Sequence, residues 1–540
     1  MRRRLALVTA RSALLATAAA ILAATTGAPA AAQPAGKPAQ RGPVHPFEIA
    51  GELSEQNPID ACVLRALRAR GIAPAHRCSD EVFIRRVFLD VIGTLPTPEE
   101  VRAFLADQRA DKRAALIEKL FAREEFADYW ALKWCDLLRV KAEFPINLWP
   151  NAVQGYHRWV RDALAQNRPY DQFARELLTA SGSNFRVPPV NFYRAVQGRE
   201  PAALARAAAL TFMGVRIERW AQEQRRGFEA FFARVAFKST AEWKEEIVLL
   251  NPAANEPLAA VFPDGQRVEV AVGVDPRRVF ADWLIAPENP WFARNIVNRI
   301  WAWLLGCGII HEPDDIGAHN PPAIPELLAL LERELVVSKY DLRHVYRLIL
   351  NSGTYQQSAL ARGEHADADQ LFARYPVRRL DAEVLIDAFN QVFGGSEQYT
   401  SAIPEPFTFV PERQRTIALA DGSISSPFLE LFGRPPRDTG LESERDNRFT
   451  EGQALHLLNS SHIQKKIENS PHLSRLVQVA GPDRKRLVRS VYLRVLSRAP
   501  TEAELKAADE YLRTSGLPIR TAASDLAWAL ANSKEFLYRH

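Results

Sequence analysis

Apolar residues recur three and four positions apart over most of the chain after Ile59, the spacing of one helix face. Phe83-Ile84 and Val87-Phe88 make such a stripe, and Gly93 closes it. Thr97, Pro98 and Glu100 then read as a helix start with a capping box, proline standing at the first helical position. The pattern changes between Glu246 and Val272. Ile247 to Leu250, Ala259 to Phe262 and the alternating Val268-Glu269-Val270, with a tight Asp264-Gly265 turn, predict a small antiparallel sheet. Beyond Asp275 the helical period returns, interrupted at Ile403 to Arg413 and Asp421 to Ser426. The expected architecture is mainly α, multi-helical and two-domain, with a small antiparallel β insert.

One helix-turn-helix pattern occurs twice. Arg85, Val87, Leu89, Val91, Pro96, Thr97 and Glu100 are matched in order and spacing by Arg489, Val491, Leu493, Val495, Pro500, Thr501 and Glu504. The match predicts related helix pairs at the two ends of the chain, packed together.

Phe292 to Pro322 carries the densest polar chemistry. At about 100° per residue, Arg294, Asn295, Asn298 and Arg299 fall within roughly 140° of arc, with Ile296, Val297, Ile300, Trp301 and Leu304 opposite. Asp314-Asp315 follows the helix. These carboxylates could hold a hard cation, or aim Arg294 and Arg299 at a sulfate, carboxylate or sugar hydroxyl. The competing reading is an internal Arg-Asp network that only fixes packing. His311 and His319 flank the acidic pair at a spacing that fits no zinc site, though either could serve as a general base. Glu383 and Asp387, one helical turn apart, could be an acid/base pair, or simply face Arg378 and Arg379 from an exposed surface. His157 is expected at the surface or an interface, and His456 and His462 as caps or packing. Ser352 lacks a nucleophile elbow, so a serine hydrolase is not indicated.

Composition narrows the setting. Arg2, Arg3 and Arg4, an apolar run from Ala13 to Ala24 and small residues ending at Ala32 read as a cleaved export signal over residues 1–32. The run is too short for a transmembrane anchor. The formal charge of +5 includes four arginines in that segment and no acid, so the exported chain carries only +1. A nucleic-acid partner is not indicated. Residues 33–50 read as a disordered leader. Four cysteines entering an oxidising compartment favour bridges. Cys62 and Cys78 are expected to pair, leaving Cys135 and Cys307 for a second bridge, although four cysteines allow three connectivities.

Two resemblances organise the rest. Phe292 to Pro322, with Arg294-Asn295, Val297 to Trp301, Asp314-Asp315 and Asn320-Pro321-Pro322, resembles the planctomycete secreted domain called domain of unknown function fifteen-fifty-three. Asp80 to Glu100, Trp159 to Asp162 and Asn167 to Phe173 resemble the cytochrome-like planctomycete domain called domain of unknown function fifteen-forty-nine. The resemblances imply a cytochrome-like helical domain at 51–240 and the secreted domain at 273–540, with the β insert read from the residue pattern at 241–272 between them. In that family a Gly-Val-Arg segment leads into Cys-Ala-x-Cys-His-x-His-Pro-Phe. Here Gly214-Val215-Arg216 runs into Ile217-Glu218-Arg219-Trp220 instead, and no CxxC occurs in the chain. No c-type haem is therefore expected, and electron transfer is disfavoured.

The resemblance further implies an extracytoplasmic scaffold or binding protein acting with a sulfatase-like protein or a carbohydrate, without a required cofactor. The alternative is a cation-dependent hydrolase built from Arg299, His311, Asp314 and Asp315.

Overall fold

A computed structural model describes residues 47–540, Glu52 apart; the expected signal and most of the leader lie outside the described residues. Thr97 accepts from the Glu100 amide while the Glu100 carboxylate accepts from the Thr97 amide, so the helix Pro98–Ala106 starts as its sequence dictates. Thr501 and Glu504 repeat this box at the helix Glu502–Thr514. The matched helices Asp80–Val91 and Arg484–Leu496 precede them. The two ends meet: Arg85 Nη1 donates to the Val495 carbonyl at 3.0 Å and Nη2 to that of Phe536 at 3.2 Å. Arg489, the counterpart of Arg85, is exposed. The modules share a backbone plan and bury the same apolar face, and the first helix is buried on its other sides as well.

The buried apolar residues form one continuous cluster from Ile59 to Leu537. Aromatic rings join its halves. Tyr170 stacks on Phe292 at 4.5 Å between ring centres, and Trp130 and Trp134 of the helix Glu124–Leu137 meet Trp303 of the helix Phe292–Leu305. Such pairs add about 0.5–1.5 kcal/mol each beyond the area they bury. No described helix is long and apolar enough to cross a membrane.

The β insert differs from its expected form. Glu246–Leu250 is the central strand of a three-stranded antiparallel sheet between Val235–Ser239 and Gly182–Ser183, while Leu258–Val261 and Arg267–Val270 make a separate hairpin. The Asp264-Gly265 turn is present, with Gly265 at φ +90°. Val235–Ser239 and Gly182–Ser183 were invisible as strands because each draws its pairing from Glu246–Leu250 rather than from its own alternation. Glu48–Ile49 also departs from the leader assignment, pairing antiparallel with Arg77–Cys78.

The expected disulfides are absent: all four cysteines are free thiols. Cys62, on the helix Pro58–Ala69, faces Glu326 and Arg333, whereas Cys78 is buried with its carbonyl held by Arg113. Nearness in sequence fails because the intervening turn sends the two side chains to different neighbours. Cys135 is enclosed in the core beside Arg437, and Cys307 sits past the end of the helix Phe292–Leu305 near Glu312 and Asp369.

Candidate functional site

The polar face of the helix Phe292–Leu305 is turned inward. Asn295, Asn298 and Arg299 are almost completely buried. Asn295 Nδ2 donates to the Thr211 carbonyl at 2.9 Å, and Arg299 Nη2 to that of Leu210 at 3.1 Å. Both are carbonyls of the last turn of the helix Pro201–Met213; that of Leu210 also accepts the Gly214 amide at 3.3 Å. Asn298 clamps Ile310 through its amide and carbonyl. Arg299 also pairs with Asp314 at 2.6 Å, and the second Asp314 oxygen accepts the Glu442 amide at 2.7 Å. One buried ion pair thus joins the helix Pro201–Met213 to the segment around Glu442.

The remaining predicted residues disperse. Asp315 turns away from Asp314 to accept Arg219 at 2.7 Å, with His319 Nε2 3.2 Å from it. His311 is 55% exposed and contacts Glu312, so it does not join Arg299 or Asp314 as a base. Arg294 pairs with Glu332 on the outer flank at 2.7 Å. Glu383 and Asp387 are buried rather than exposed. Burial would raise the Glu383 carboxyl, but Arg445 and Arg434 hold it below its ordinary range, whereas burial leaves Asp387 raised despite bonds from Thr416 and Ile417. His157 is buried, and desolvation followed by Arg437 lowers it to about 3. His456 packs on Phe428 and Phe432, and His462 meets Glu397 at 3.0 Å. Among the described residues no group of three His, Cys, Asp or Glu side chains is placed to hold a metal ion.

What the polar helix supports is a cleft of about 530 Å³. One wall is the helix Pro201–Met213, through Ala203, Arg206, Ala207 and Leu210. The second is Val215 to Arg219, and the third is Asp438 to Leu441. Arg299 and Asp314 brace the first wall against the third, and Asp315 holds the second through Arg219. Gly214, at φ +65°, makes the turn between the first two walls; a Cβ there would lie 2.7 Å from Asn295 Oδ1 and 2.8 Å from the Pro313 carbonyl.

Charge in the cleft is unevenly satisfied. Arg206 pairs with Glu218 at 2.8 Å, Arg219 with Asp315, and Asp438 with Lys141 at 2.7 Å. Arg139 and Arg216 have no carboxylate partner within ion-pair distance among the described residues. Arg139 is 3% exposed and gives Nε to the Ala195 carbonyl at 3.2 Å, yet its Nη2 is buried without a partner, as is Nε of Arg216. Burial lowers the Arg139 guanidinium below its ordinary value without neutralising it. Two cations therefore line an apolar-walled cleft with donors to spare.

Sequence reasoning missed Arg139, Gln197, Arg206 and Asp438, which converge from four separate segments with no shared motif. Arg216 had a signal, since it closes the Gly214-Val215-Arg216 segment.

Comparison with known proteins agrees with the two-part organisation. No curated protein and no solved structure matches the chain. Residues 58–235 match the family model PSCyt2, a protein of unknown function (DUF1549), and residues 276–512 match PSD1, a protein of unknown function (DUF1553), so the chain joins a PSCyt2 region to a PSD1 region.

Proposed function

We propose that this is an exported helical binding protein whose cleft receives an acidic group, a carboxylate or sulfate, carried by a saccharide. The observation that carries the reading is that Arg139 and Arg216 both line the cleft and neither has a carboxylate partner within ion-pair distance among the described residues. Hydrogen bonds from a guanidinium to an anion are roughly twice as strong as neutral ones, so an acidic group is favoured over a neutral one in this cleft. The apolar residues Val196, Ala207, Leu210 and Val215 would cover the carbon face of the ligand. A sulfatase-like partner fits this reading as a source or consumer of sulfated sugar, and no cofactor is needed for it.

The cation-dependent hydrolase is the weaker reading. Both Asp314 oxygens are already occupied, by Arg299 and the Glu442 amide, and His311 lies outside the cluster. The carboxylates in the cleft, Glu218 and Asp438, are each paired with a cation. Covalent haem would need paired cysteines, and Cys62, Cys78, Cys135 and Cys307 supply no CxxC.

Thermal melting with sulfated and carboxylated oligosaccharides tests the proposal. A ligand at a hundredfold its dissociation constant stabilises by about 2.7 kcal/mol. Arg216→Gln should keep the unliganded melting temperature and lose that response. A wild type indifferent to every acidic saccharide would overturn the reading.

A further inference from the structure

A second cleft, of about 780 Å³, opens at the carboxyl end of the helix Ala382–Phe393 and shares no lining residue with the first. Its cations are Arg123, Arg413, Arg415 and Arg494, and its carboxylates are Glu125 and Asp387. Glu125 is spent between Arg123 at 2.6 Å and Arg415 at 3.5 Å. Asp387 is spent on the Thr416 amide and hydroxyl and the Ile417 amide. No carboxylate lies within ion-pair distance of Arg413 or Arg494 among the described residues.

The floor is arranged around these two. Arg494 Nε donates to the Val392 carbonyl at 2.8 Å and its Nη2 meets His472 Nδ1, so the negative end of the helix is already covered by a cation. The chain leaves the helix through Gly394 and Gly395, at φ +84° and +104°, a path that only glycine follows without strain. Beyond the turn, the amides of Gly395 and Ser396 donate to no acceptor among the described residues. Arg413 is exposed and makes no hydrogen bond or ion pair within the described residues. The cleft therefore brings together spare guanidinium donors, an imidazole and two free backbone amides.

Donors of this number and spread suit a tetrahedral oxyanion better than a planar carboxylate, which one guanidinium satisfies in its own plane. The space exceeds what a bare ion fills, and Thr94, Asn390 and Ser396 offer polar side chains along it. We propose that this cleft is a second, independent binding site for a hydroxyl-rich molecule esterified with sulfate or phosphate. Arg413 and Arg494 grip the ester group, and the Gly395 and Ser396 amides complete its shell.

Calorimetric titration of the full chain with inorganic sulfate, inorganic phosphate, a sulfated hexose, a phosphorylated hexose and the unmodified hexose tests this. The wild type should bind an ester more tightly than its inorganic ion and ignore the unmodified sugar. The preferred ester identifies the source. Arg413→Ala, at an exposed position, should melt with the wild type and bind about tenfold or more weakly, as expected for losing a charge-assisted contact. Because the first cleft is proposed to take sulfated saccharides too, the ester titrations are read in the Arg216→Gln background, which should keep this second site. Adding Arg413→Glu there should abolish the remaining binding. Equal ester binding with and without Arg413→Ala in the Arg216→Gln background, or no ester binding left in Arg216→Gln, would each overturn the proposal.

Discussion

Arg299 donates to Asp314 at 2.6 Å with both side chains 1% exposed; Arg299 also reaches the Leu210 carbonyl in one wall of the first cleft, and Asp314 accepts the Glu442 amide beside another. The pair is a strut rather than a reactive centre, because neither group is open to solvent or ligand.

Removing the strut should therefore be expensive. Arg299→Ala leaves Asp314 buried without its cation and is expected to lose about 3–5 kcal/mol in urea unfolding. A loss below about 1 kcal/mol would show that the pair does not carry the packing of the two walls.

Asp381 contributes to the response to acid. Burial would raise its carboxyl, but Lys133, Arg539 and Arg445 hold it well below its ordinary range. A folded-state value below the unfolded one stabilises at pH above about 4 and is lost as pH falls through the folded value. Unfolding free energy should decline below pH 4 in the wild type, and Asp381→Asn should be less stable at neutral pH with a shallower acid dependence. Identical acid slopes would count against Asp381 as the source.

The cysteines should remain thiols. Burial pushes Cys135 up to about 12 and Cys307 up to about 11, so neither is nucleophilic at neutral pH. Peptide mapping without reductant should return four unlinked cysteines, with Cys78 and Cys135 alkylated only after denaturation. A Cys62-Cys78 crosslinked peptide would contradict the packing of the helix Pro58–Ala69.

Gly214→Ala tests the turn under the cleft. The left-handed backbone costs a side chain about 1–2 kcal/mol, and the close approach of Asn295 and Pro313 adds to it. The variant should melt lower than wild type and also bind acidic saccharides more weakly, since Val215 and Arg216 follow the displaced residue. Unchanged melting and binding would show that the turn relaxes freely.

The sequence by itself determined the local structure. The three-and-four apolar spacing, the boxes at Thr97 and Thr501 and the Asp264-Gly265 turn each act within a few residues, so the helices and the hairpin were legible. It also determined that Asn295, Asn298 and Arg299 share a helix face. Which way that face points was decided by the fold: the last-turn carbonyls of Thr211 and Leu210 lie against it and accept those donors. The thiol state of Cys62 and the burial of Glu383 beside Arg445 were likewise set by segments distant in the chain. Arg139 and Arg216 became a candidate site only when the helix Pro201–Met213 and the Asp438 to Leu441 segment closed around them, because an unpartnered buried donor exists only once burial has occurred.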